Sequence, residues 1–179
     1  MDSSSEILKY ADETDKAFGL AGMAISLVAW DAEAWLDAID LDAAPDAAMR
    51  MSADFYLTLA PHVGAKAVWE QALTRFRLTA AMTVANVACR EMAHAGHARL
   101  SAEADAALRR ALDDEGAELC GLDPDEVSAV YGKSLAYCQR LFTHPGVSAL
   151  AGQLAEALAA QRSLDAPSVF AILAPLGRM

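Results

Sequence analysis

Basic residues, cysteines, histidines and β-branched residues are all scarce in this chain of 179 residues, and each shortage closes off a class of function. Fourteen Lys and Arg stand against 25 Asp and Glu, for a net charge of −11. A surface of that sign repels phosphate backbones, so nucleic acid is not an expected partner. Three cysteines, Cys89, Cys120 and Cys138, form an odd set with no CxxC. That usage suits a reducing cytoplasm better than a disulfide-stapled secreted fold. No GxGxxG, P-loop, HExxH or GxSxG motif occurs, so standard nucleotide loops and the commonest hydrolase and zinc signatures have no support. The apolar run over residues 17–30, AFGLAGMAISLVAW, is 14 residues long, short of the ~20 that span a bilayer. Five acids and two lysines precede it, the reverse of a signal peptide. A buried helix is expected there, and no membrane partner. No repeat at a solenoid period is visible either.

What the chain has in quantity is Ala and Leu, which favour helix over strand. Its length is enough for one domain with a real core. The expected fold class is mostly α: a single-domain helical bundle over residues 1–179, with about six or seven helices by periodicity and one small β-hairpin near residues 35–52.

The first helix is expected to start at Ser3, Ser4 and Ser5, with Ile7, Ala11, Thr14, Phe18, Ala21, Ile25 and Val28 along one face. Gly19 and Gly22 interrupt that helix and would admit a close neighbour. Ile39 with Leu41, and Met49 with Met51, alternate with polar or small residues on either side of Pro45-Asp46, the pattern of a hairpin. The acids around that turn lack the glycine and closing glutamate of a calcium loop and read as solvated turn carboxylates.

Further along, Ser52 is a candidate cap for a short helix that Pro61 ends. A long helix should run over residues 64–94, stopped by Gly96. Ser101 and Asp123 should cap the next two, the latter with Pro124 at its first position and Glu126 three residues on. Pro145-Gly146 breaks the chain before an amphipathic helix carrying Val147, Leu150, Leu154 and Leu158, and Pro167 opens a last short one. The pair joined near Gly121 has helix-turn-helix spacing, but Asp125 and Glu126 stand at the end that would approach DNA.

Charge is unevenly placed. Residues 1–60 hold 12 acids against 3 bases, whereas residues 61–100 hold 2 against 5. Inside that basic block, at about 100° per residue, Thr79, Thr83, Asn86, Arg90, His94 and His97 fall on one side of the long helix, with Arg75 at the edge. The favoured reading is the solvent-facing edge of an otherwise buried helix. The alternative is a groove in which Arg75 and Arg90 meet an anion while Thr79, Thr83, Asn86 and His94 supply hydrogen bonds.

The stretch CREMAHAGH, residues 89–97, places Glu91, His94 and His97 three apart. An E-x-x-H step supplies two ligands in di-iron bundles, but those need a second such step, and neither His62 nor His144 has a Glu three residues before it. Cys89 falls off the histidine face, against a zinc site. Imidazoles near a helix C-terminus suit its unsatisfied carbonyls, so the stretch is expected to be a helix end with no metal and no cofactor.

The expected function is a non-catalytic cytoplasmic binding or adaptor module, self-associating as a homodimer through broad Ala-rich faces, with a protein or a small anion as partner. A metal-dependent helical-bundle oxidoreductase is the alternative, and an acidic chaperone-like holder of basic segments a weaker one.

Overall fold

Asp12 opens the first helix, α1 (Glu13–Ala29), by accepting the Asp15 N–H at 2.8 Å, while the Asp15 carboxylate reaches back to the Ala11 N–H at 2.8 Å. These reciprocal caps satisfy donors that the helix itself cannot. The computed structural model describes residues 8–56 and 64–178. Within it, residues 8–12 are turn and bend rather than helix, which corrects the expected early start. The physical reason lies in the carbonyls of Leu8 and Lys9, which accept from Arg90 instead of continuing a helical ladder. Ser3, Ser4, Ser5, Ile7, Pro61 and His62 lie outside the described residues.

After α1 the chain makes a single 3₁₀ turn (Glu33–Trp35) and enters the expected hairpin, β1 (Leu36–Asp40) and β2 (Met49–Met51). Leu36 pairs with Met51 and Ile39 with Met49, antiparallel, and the register slips between Leu36 and Ala38. That slip puts both Ala38 and Ile39 in the core, breaking strict alternation. A one-turn helix follows, α2 (Ala53–Tyr56). Ser52 does not cap it through its side chain, since the Ser52 hydroxyl is buried with no partner among the described residues.

The long helix α3 (Ala65–Ala95) is stopped by Gly96 at φ 73°, a left-handed cap. Next come α4 (Ala102–Cys120), capped by Ser101, and α5 (Pro124–Thr143), which opens with the expected capping box. α6 (Pro145–Gln161) takes His144 as N-cap. The chain then adds a third strand, β3 (Ser163–Asp165), before α7 (Ala166–Leu173) and a final 3₁₀ turn (Ala174–Arg178). β3 pairs antiparallel with β1, so β1 is the middle strand of three. It holds one buried residue, Leu164, between two exposed ones, too little alternation for a sequence pattern to reveal.

The described residues thus form seven α-helices and a small antiparallel sheet, the mostly α class expected. None of these helices is long and apolar enough to cross a membrane. α1 and α3 form the most extensive pair; α6 packs on α1, and α4 and α5 pack on α3. The sheet is tied to α1 by polar bonds. Lys16 Nζ donates to the carbonyls of Leu41 and Ala43, and Arg162 pairs with both Glu13 and Asp42.

At Gly22, α1 lies directly against the backbone of α3. A Cβ there would sit 2.6 Å from the Cys89 Cβ and closer still to the Ala85 carbonyl oxygen, and backbone cannot yield as a flexible side chain does. Gly132 of α5 faces open space. Gly22→Ala is therefore expected to cost about 2 kcal/mol or more through overpacking. Gly132→Ala should gain about 0.5–1 kcal/mol from helix propensity. Urea unfolding midpoints of the two variants should move in opposite directions.

Candidate functional site

The polar stripe of α3 is built from the helix period, and the structure shows what each of its members meets. Arg75, at the start, donates to the carbonyls of Phe55 at 3.1 Å and Tyr56 at 3.4 Å. Thr83 returns its hydroxyl to the Thr79 carbonyl at 2.9 Å, the self-satisfaction open to a helical threonine. The Asn86 amide donates to the Tyr10 hydroxyl at 2.8 Å.

Arg90 is buried, only 9% exposed. Its guanidinium grips Asp15 through two bonds, Nε to Oδ1 at 2.7 Å and a terminal nitrogen to Oδ2 at 2.6 Å. It also donates to the carbonyl of Lys9 at 2.8 Å and lies 5.1 Å from the centre of the Tyr10 ring. His94 Nε2 is 3.0 Å from the same Asp15 Oδ1. Around residues 86–90 the stripe therefore faces α1 and the segment leading into it, where a solvent edge was expected. Arg90 is committed to Asp15 and to the carbonyls of Leu8 and Lys9, and its charge is neutralised there.

Asp15, the residue this cluster turns on, escaped the sequence reading. It is 1% exposed, and burial pushes its carboxyl up. The bonds from Arg90, the Ala11 N–H and His94 outweigh that and hold it below the usual carboxylate range. A signal was present: Asp15, Gly19, Gly22 and Ser26 recur at steps of four, three and four, a polar and small stripe about 100° round the helix from the apolar one that drew attention.

Thr83 and Asn86 border a hollow of about 530 Å³ with Tyr10, Met23 and Pro45; Arg75, Arg90 and His94 do not line it. Glu91, His94 and His97 are not gathered as ligands, and among the described residues no group of three His, Cys, Asp or Glu side chains could hold a metal ion. His97 Nδ1 instead accepts the Arg99 N–H at 3.3 Å. Burial pushes the thiols of Cys89 and Cys138 far up, the latter to about 12, so both stay protonated and inert.

A group of exposed cations lies elsewhere, Arg77 on α3 and Lys133 and Arg140 on α5. A cleft of about 510 Å³ opens between α3 and α5, lined by Trp69, Leu73 and Arg77 from the former, by Val130, Lys133 and Ser134 from the latter, and by Trp30 from the end of α1. Trp69, Leu73 and Arg77 share a face because they are four apart. Trp30 and Trp69 are 38% and 46% exposed. Both are held in place: Trp69 Nε1 donates to the Cys120 carbonyl at 3.1 Å, and Trp30 packs edge-on against Tyr137 at 5.9 Å. Two further clefts continue along α5 past Lys133, Tyr137 and Arg140 to His144. Among the described residues, Arg77, Lys133 and Arg140 make no ion pair. No protein-family model, curated protein or solved structure matches the chain.

The Asp15 pair has a pH signature. A carboxyl held low in the fold contributes stability that is fully present above its unfolded value of about 3.9 and is lost as pH falls through the folded value. Asp15→Asn should cost about 3–5 kcal/mol at pH 7, the cost of leaving a buried partner uncompensated. The gap between variant and parent should narrow as pH falls through the folded value and the parent's Asp15 takes up its own proton. Urea unfolding at stepped pH measures both.

Proposed function

We propose that the protein is a non-catalytic binding module that captures an anion, or an anionic segment of a partner, in the groove along α5. One observation carries this reading. In a chain of net charge −11, Arg77, Lys133 and Arg140 stand exposed and without ion pairs among the described residues, on one continuous run of clefts. Cations left open within an acidic surface focus attraction on a ligand of opposite sign.

The groove supports binding better than turnover. His144, at its far end, accepts the Gly146 N–H through Nδ1 as the cap of α6. Tyr137 donates to the Ala29 carbonyl, and Glu126 accepts the Asp123 N–H in the capping box. These side chains serve the frame that surrounds the groove. The α3 stripe, the alternative groove in the sequence, lacks a free cation at its centre because Arg90 is committed to Asp15.

Native mass spectrometry of protein isolated in a volatile buffer tests the reading with no guess about the ligand. An Arg77→Gln/Lys133→Gln variant should lose at least ten-fold of the anion adducts carried by the parent. The loss should shrink when both are washed at high salt, as screening weakens the attraction. Identical adducts on parent and variant would contradict it.

A further inference from the structure

Three features of the Trp30–Trp69 cleft narrow its ligand. Its walls carry two indoles, and the indole N–H of Trp69 is already bonded to the Cys120 carbonyl. What such a ring offers a ligand is its π-face. Its floor is apolar, with Leu73, Leu122 and Val130, and its size falls within the range of small-molecule pockets rather than of flat docking faces.

Charge in the cleft has two signs. Arg77 and Lys133 line it and are exposed, while Glu126 lines it too, its carboxylate fixed by the capping bond at 3.0 Å. Two cations attract one anionic group, and the fixed carboxylate repels a second. A ligand with one negative charge and a flat apolar body answers both requirements; a polyphosphate does not.

Ser134 supplies a third, independent observation. It is 1% exposed among the lining residues, and its hydroxyl has no hydrogen-bond partner among the described residues. Burying an unpaired hydroxyl costs free energy with nothing in return. A small shift of the cleft wall that let a ligand oxygen in would give this hydroxyl the partner it lacks.

We infer that the cleft between α3 and α5 is a binding site for a small monoanionic aromatic acid, its ring against Trp30 and Trp69 and its acidic group between Arg77 and Lys133. The inference rests on the anion-binding reading above and adds the chemical class of the ligand.

Calorimetric titration with 2-naphthoate tests it, with 2-naphthalenemethanol, acetate and a hexaglutamate peptide run beside it. The inference predicts saturable binding of 2-naphthoate at one site, at least ten-fold tighter than the neutral alcohol or acetate. Binding should quench tryptophan emission, and the quench should survive Trp35→Phe, because Trp35 packs against Phe55 and not in the cleft. Arg77→Gln/Lys133→Gln should weaken binding at least ten-fold and Ser134→Ala several-fold, with both variants retaining the parent's circular dichroism. Acetate or hexaglutamate binding as well as 2-naphthoate, with the same dependence on Arg77 and Lys133, would overturn the aromatic class and leave the anion-binding reading standing. Binding by none of the anions would overturn both.

Discussion

The buried contact between Asp15 and Arg90 is the constraint from which the arrangement of the bundle follows. Two opposite charges, 1% and 9% exposed, sit between α1 and α3, and each has further partners: Asp15 the Ala11 N–H and His94, Arg90 the carbonyls of Leu8 and Lys9. Such a pair contributes less to net stability than its Coulomb energy suggests, because desolvation offsets most of the attraction. Its effect is on register. Any slip of one helix along the other would leave a charge buried and alone. With the register set, Gly22 meets Ala85 and Cys89 at a separation no larger residue permits. α1 then carries α6 and the sheet, and α3 carries α4 and α5.

The same arrangement divides the basic block of the chain by task. Arg90 turns inward and is neutralised. Arg75 is bonded to the carbonyls of the short helix before it. Arg77, two residues further on, lies on the opposite side of α3 by helix geometry and remains exposed beside Lys133. Charges that look alike in sequence thus hold the frame on one face and stay open on another.

How much of this could be read beforehand depends on whether the signal was local. Caps and breakers are local, so Gly96, Ser101, Asp123 and the turn before Pro145 marked their boundaries well. Residues 8–12 looked helical because their periodicity is helical, and only a tertiary partner, Arg90, draws their carbonyls away. β3 is three residues long and exists through its pairing with β1. The α3 stripe was visible as a stripe, but nothing within one helix could say that Asp15, 75 residues from Arg90, would lie opposite it. The α5 cleft was harder still. It joins the end of α1, the first half of α3 and the middle of α5, and its only advance signs were the four-residue steps from Trp69 to Arg77 and the spacing that sets Lys133 with Ala129, Tyr137 and Arg140 on one side of α5.

A double-mutant cycle on Asp15 and Arg90 tests the central claim, that these two side chains act as one unit holding α1 against α3. Unfolding free energies at pH 7 for the parent, Asp15→Asn, Arg90→Gln and the double variant give the coupling directly. Side chains in one buried network should show an interaction energy of at least about 1.5 kcal/mol, with the double variant less damaged than the two single losses added together. Losses that add to within about 0.5 kcal/mol, the behaviour of independent sites, would mean that the pair does not lock the two helices.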